Sequence, residues 1–163
     1  MQTIQLIPAT TNDISTISSL AVEIWNDYYV PIIGQKQVDY MLNKMYSRDN
    51  MIEQIEIKKH IFFLIKNNLD TVGFISINNE KANDWFLNKF YIKQSIAAKG
   101  IGTEAFNLLT EKISAKKITL TVNRKNYKSI NFYFKNSFKI KTVEDFDIGN
   151  GYFMNDFIME WVA

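Results

Sequence analysis

The sequence predicts an α/β layer fold in a single domain, residues 1–163, and three observations predict it. Apolar residues recur every three or four positions in the first third of the chain and alternate with polar ones from Ile61 onward, so helices give way to strands. Between Trp85 and Asn123 the patterns run strand, glycine loop, helix, strand, the succession of a βαβ crossover. No repeat, low-complexity tract or Pro/Ser-rich linker divides the 163 residues, a length that suits one domain.

Each element has a local reason. Ile4 and Leu6 open a short strand that runs into Pro8, and Thr11, Asn12 and Asp13 are all good helix caps. Ile14, Ile17, Ala21, Ile24, Trp25 and Tyr28 then form one helical stripe, which Pro31 ends. Val38, Met41, Leu42 and Met45 mark a second helix after Gly34, and Met51 to Ile57 a third short turn or helix. Ile61 to Ile65, an Asn67-Asn68 turn and Thr71 to Ile77 read as a hairpin. Trp85 to Ile92 is a further strand, followed by a polar loop, Lys93 to Lys99, then Gly100-Ile101-Gly102 and a helix carrying Ala105, Phe106, Leu109 and Ile113. Ile118, Leu120 and Val122 alternate with Thr119, Thr121 and Asn123, a strand buried on one face. Asn126 opens a last helix with Ile130, Phe132, Tyr133 and Phe134; Phe138 resumes an extended segment, and a final strand runs from Tyr152 to Trp161 after the Gly149-Asn150-Gly151 turn.

Composition removes several functions. The chain is 47 % hydrophobic and 14 % aromatic, enough for a large core. Its 19 basic and 17 acidic residues are interspersed and sum to +2, which leaves no footprint for nucleic acid. Cysteine is absent and His60 is the single histidine. That excludes disulfides, thiolate ligands and a cysteine nucleophile, leaves any serine triad one histidine, and predicts no metal site, because no acidic run stands at ligand spacing. Met1 to Thr10 lacks the pattern of a signal peptide, and the longest apolar stretch, Ile61 to Ile65, is far below the ~20 residues of a membrane span. A cytoplasmic protein with no membrane partner is the expectation.

The chemistry concentrates between Trp85 and Leu109. Two glycines at a helix start let backbone N–H groups approach an anion, with the helix dipole behind them and Lys93 and Lys99 beside them. The run has neither the third glycine of a dinucleotide fingerprint nor a Gly-Lys-Ser/Thr.

The residues Phe86-Leu-Asn-Lys-Phe-Tyr-Ile92 followed by Ala97-Ala-Lys-Gly-Ile-Gly102 resemble motif A of the GCN5-related N-acetyltransferases, the GNAT superfamily. Leu120-Thr-Val-Asn-Arg-Lys-Asn126, with Ser129-Ile-Asn-Phe-Tyr133 and Phe138, resembles their motif B, in the right order and at the right spacing. Trp25 to Gly34, Val38 to Leu42, Asp147 to Gly151 and Asn155 to Met159 are similar to the PaiA-like polyamine acetyltransferase branch. Three positions depart from the family pattern: Ala97 stands where arginine or glutamine is usual, Ala98 where glycine is usual, and Ser137 replaces the glycine before Phe138. One lost charged contact is worth about 1.5–3 kcal/mol, so a weakened hold on the cofactor is expected.

The resemblance implies a single GNAT-like α/β (α+β) domain with a central mixed, mostly antiparallel sheet of six to seven strands flanked by helices. It implies transfer of acetyl from acetyl-CoA to a primary amine, a small amine such as a polyamine, by direct attack in a ternary complex. Coenzyme A would lie against Phe90, Tyr91 and Ile92 by strand addition, with its pyrophosphate on Ala97, Ala98, Lys99, Gly100, Ile101, Gly102 and Thr103. Asn126 would bond the pantetheine or the loop, and Tyr133 would be the general acid for the departing thiolate. Trp25, Tyr29 and Tyr40, with Tyr28 beside them, would wall the cationic acceptor. Glu23, Asp27, Asp39, Glu80 and His60 are the candidates for the base, and none is singled out. A CoA-binding module with little turnover and a protein or peptide N-acetyltransferase are the two alternatives, and exposed aromatics of this kind also suit a homodimer.

Overall fold

The computed structural model describes residues 2–97 and 99–163; Ala98, expected in the pyrophosphate loop, lies outside the described residues. Seven strands form one sheet. They are β1 (Ile4–Pro8), β2 (Ile61–Asn67), β3 (Asp70–Lys81), β4 (Asp84–Ile92), β5 (Lys117–Asn123), β6 (Lys139–Gly149) and β7 (Tyr152–Val162), in the order β1-β2-β3-β4-β5-β7-β6. Among the described residues only β4 and β5 run parallel; the remaining neighbours are antiparallel. This is the mixed, mostly antiparallel sheet that the family resemblance implies.

Helices cover both faces. On one side lie α1 (Ile14–Tyr28), α2 (Val30–Ile33), α3 (Gln35–Tyr46) and α4 (Arg48–Ile52), the last continuing into a π turn, Glu53–Ile57. The other side carries α5 (Ile101–Lys112) and α6 (Tyr127–Lys135). α1 starts at Ile14 with Asp13 as its N-cap, and a 3₁₀ turn, Thr11–Asp13, precedes it, closed by a reciprocal capping box between Thr10 and Asp13. Pro31 does not merely stop α1; it sits in the first turn of α2, where its missing N–H costs nothing.

The core divides along the sheet. Ile17, Ala21, Ile24, Met51, Phe62 and Phe74 pack under α1 and α3, while Ile75, Ile77, Leu87, Leu109, Ile118 and Phe138 pack under α5 and α6. β4 serves both halves because it bulges at Asn88: Leu87 pairs with Ile77 and Lys89 with the adjacent Ser76. Trp85 and Leu87 before the bulge, and Phe90 and Ile92 after it, face α5 and α6. Lys89 and Tyr91 face the helices on the other side.

β4 and β5 pair only between Asp84–Leu87 and Lys117–Leu120. Beyond Leu87 they part, and the outer edge of β4 up to Ile92 has no partner strand among the described residues. That parting positions the site.

Candidate active site

Two adjoining cavities fill the gap between β4 and β5. One, on the α5 side, is lined by Ile92, Gln94, Ala97, Gly102, Lys128 and Phe132. The other, on the β7 side, is lined by Trp25, Gln37, Met41, Lys89, Thr121, Asn123, Asn126, Met154 and Asp156. Tyr29, Phe90, Tyr91, Ser129 and Tyr133 line both. Tyr133 therefore stands where the cavities meet. It is 8 % exposed, and its hydroxyl makes no hydrogen bond among the described residues. Burial, reinforced by the Tyr29 phenol, pushes its pKa up, so it keeps its proton at neutral pH.

The α5 end of the gap presents the N-terminus of a helix. Gly100 caps the helix at φ +77°, a conformation that glycine adopts freely, and among the described residues no side chain caps the first turn. The N–H groups of Ile101, Gly102 and Thr103 are left for a ligand. Gly102 serves packing instead: a Cβ there would stand 2.9 Å from Phe132. Of the loop lysines, Lys93 is paired with Glu23 at 3.2 Å and Lys99 is exposed.

Tyrosines join α1 to α6. Asn126 caps α6 by accepting from Ser129 N–H, its Oδ1 also accepts from the Tyr28 hydroxyl at 2.6 Å, and its Nδ2 donates to the Tyr29 hydroxyl at 3.1 Å. It is 1 % exposed. Asn126, expected to bond pantetheine or loop backbone, lines the β7-side cavity and uses its Oδ1 and one Nδ2 donation within the protein. Trp25 is buried and stacks on Tyr29 with centroids 4.6 Å apart, forming the floor of the β7-side cavity. Burial raises the pKa of Tyr29 and Tyr91, so both remain neutral walls.

Tyr40 does not wall that cavity. Its hydroxyl donates to the Ile148 carbonyl at 2.7 Å and its ring lies 5.2 Å from that of Tyr152, so it pins the β6–β7 turn onto α3. The base candidates also fall away from the gap. Glu23 is paired with Lys93 on the surface, Asp39 accepts from Gln35 on an exposed turn of α3, and Asp27 and Glu80 are exposed. His60 lies at the start of β2, where burial and the charges of Lys89 and Lys58 lower its pKa to about 4.

Two cavity residues escape the sequence reading. Lys89 is 8 % exposed; its Nζ donates to Gln54 Oε1 at 2.6 Å and lies over the Tyr46 and Phe62 rings. Burial, then the charge of Lys58, brings its pKa down to about 8. Asp156 of β7 is 1 % exposed, and neither carboxylate oxygen has a hydrogen-bond partner among the described residues. Burial raises its pKa to about 6; Thr121, which approaches without reaching hydrogen-bonding geometry, and Arg124 oppose that rise. Strand positions of alternating polar residues gave no sign that either faced a cavity.

Known proteins align with this arrangement. The sequence model of the acetyltransferase (GNAT) family matches residues 20–138. A spermidine N(1)-acetyltransferase of Thermoplasma acidophilum is 31 % identical over 165 residues, 96 % of either chain. The crystal structure of a PaiA N-acetyltransferase from Thermoplasma acidophilum in complex with coenzyme A superposes with a TM-score of 0.77 at 26 % identity, covering 99 % of both chains. A GCN5-related N-acetyltransferase structure from Rhodopseudomonas palustris shares the fold at a TM-score of 0.78 and 16 % identity, covering 100 % of this chain and 98 % of that one. The match to the family model over residues 20–138 and the similarity to a spermidine acetyltransferase along 96 % of the chain show that the chain belongs to the acetyltransferase (GNAT) family, as an acetyl-CoA-dependent N-acetyltransferase.

Proposed function

We propose that the acceptor is a primary alkylamine, a polyamine of the spermidine type being favoured, and that acetyl passes to it directly in a ternary complex. The observation that carries this reading is the position of Tyr133 at the junction of two cavities. A thioester entering from the α5 side and an amine entering from the β7 side would meet at its hydroxyl. The similar spermidine acetyltransferase supports the choice of amine. So do the Trp25, Tyr29 and Tyr91 rings of the β7-side cavity, since aromatic faces attract alkylammonium groups.

The chain's own groups divide the work. The unpaired edge of β4 at Phe90, Tyr91 and Ile92 offers backbone donors and acceptors to the pantetheine arm, as an added strand would use them. Ala97, Lys99, Gly100, Ile101, Gly102 and Thr103 would receive the pyrophosphate, and the free first-turn amides of α5 support that reading. Attack of the amine nitrogen on the thioester carbonyl forms the C–N bond and expels the thiolate. The Tyr133 hydroxyl, held protonated by burial, is the proton donor to that sulfur.

Thiol release from acetyl-CoA, followed across spermidine, spermine, amino acids, aminoglycosides and a lysine peptide, tests the reading. Turnover with polyamines is the expected result. Turnover confined to the peptide would move the acceptor to protein lysine. Coenzyme A binding without turnover on any amine would make the chain a binding module.

A further inference from the structure

A carboxylate buried without a partner is costly, and folded proteins rarely keep one that has no use. Asp156 is such a group: 1 % exposed, both oxygens unpartnered, and set in the wall of the β7-side cavity. The cations that could neutralise it are committed elsewhere. Arg124 donates to Asp145 at 2.7 Å, and Lys89 donates to Gln54. No other residue explains the charge among the described ones. Resting on the N-acetyltransferase reading above, we infer that Asp156 receives the acceptor: its carboxylate binds the alkylammonium and takes one of its protons.

The geometry suits both tasks. An ammonium entering the cavity would find one negative charge and the aromatic faces of Trp25, Tyr29 and Tyr91. Burial disfavours the charged forms of ammonium and carboxylate together, so transfer to the neutral amine and carboxylic acid is easier there than in water. Protons balance as follows. The ammonium gives one proton to Asp156. After the C–N bond forms, a second nitrogen proton restores the Tyr133 hydroxyl, whose own proton has gone to the thiolate. Asp156 then releases its proton to solvent, and ammonium plus thioester have become amide, thiol and one proton.

The groups facing Asp156 come from three strands and two connections: Thr121 on β5, Arg124 after β5, Asp145 on β6, Tyr29 between α1 and α2, and Lys89 on β4. Tyr29 is neutral throughout the working range, so the acid limb of the rate profile belongs to Asp156. With its pKa raised to about 6 it is largely ionised at neutral pH and still close enough to it to act as a base.

The test is the pH dependence of kcat/KM for spermidine in the wild-type enzyme and in Asp156→Asn. The wild type is expected to lose activity below about pH 6. The variant is expected to be slower by about 10²–10⁴-fold at pH 7, with no acid limb of that kind and a deficit that shrinks about tenfold for each unit of added pH as free amine accumulates. Its affinity for coenzyme A, measured by calorimetry, should stay unchanged, which also reports an intact fold. A variant within about threefold of wild type from pH 5.5 to 9, or a wild-type profile flat between pH 5 and 7, overturns the assignment; the second result needs no variant to fold. A wild type that turns over no amine at all overturns the acetyltransferase reading itself, a different result from an active enzyme indifferent to Asp156.

Discussion

The Tyr28 hydroxyl donates to Asn126 Oδ1 at 2.6 Å, tying the last residue of α1 to the cap of α6 across 98 positions of sequence. The same amide donates to Tyr29, so one side chain holds both tyrosines at the gap between β4 and β5. Asn126→Ala removes a helix cap, worth about 1 kcal/mol, and strands two hydroxyls, worth about 1–3 kcal/mol. Urea unfolding should show a loss of about 2–4 kcal/mol by the sum of those effects. Tyr28→Phe alone should cost about 1 kcal/mol. In the double variant the losses should fall short of the sum, because the two groups share a bond; strict additivity would deny the coupling.

Tyr133→Phe deletes a hydroxyl that bonds to nothing among the described residues, so the thermal midpoint should hardly move. Turnover should fall about 10²-fold, with the calorimetric affinity for acetyl-CoA unchanged. Equal turnover would remove Tyr133 from the role of proton donor.

Lys89 gives the fold a pH dependence of defined sign. In the unfolded chain a lysine keeps its proton to about pH 10.4, whereas the buried amine loses it near pH 8. Between those values the unfolded state binds more protons, so stability rises with pH, by at most about 3 kcal/mol across the window. Below pH 8 the cost of burying the charge is fully present. Lys89→Met should flatten the denaturant midpoint between pH 8 and 10; parallel curves for variant and wild type would contradict this. The tyrosines of the site enter only above about pH 10, where their raised pKa values make stability fall.

Ser137 holds φ +69° just past the end of α6, the position of a left-handed helix cap. A non-glycine residue there costs about 1–2 kcal/mol, partly offset by glycine's extra freedom when unfolded. Ser137→Gly should therefore stabilise by about 0.5–1 kcal/mol, read as a rise in Tm of about 1–3 °C. A lower Tm would mean that the serine side chain contributes more than its backbone costs.

The fold was legible because its signals are local. The stripe from Ile14 to Trp25 became the buried face of α1, and the alternation from Ile118 to Val122 became a strand with one face in the core. The cofactor side of the proposed site could be read for the same reason, since the residues it draws on, Phe90 to Thr103, are one continuous segment of sequence. The acceptor side is assembled from strands far apart in sequence. A polar residue such as Asp156 in an alternating strand looks solvated until the fold sets it, buried, in the wall of a cavity shared with Trp25 and Thr121. Lys89 was hidden by the bulge, which no spacing rule announces. Tyr40 looked like a pocket wall because it follows the aromatic end of α1, but the β6–β7 turn that it anchors comes 108 residues later.

The extra residue at Asn88 gives β4 two parities. Odd-numbered positions point toward α5 before it and away from α5 after it, so each half of the strand can vary without disturbing the face that the other half fills. A deletion of one residue there would not be a local defect. It would invert everything downstream, turning Phe90 and Ile92 toward α1 and Tyr91 toward α5, and so exchange the surfaces that the two substrates meet. The strand tolerates substitution far better than it tolerates a change in count.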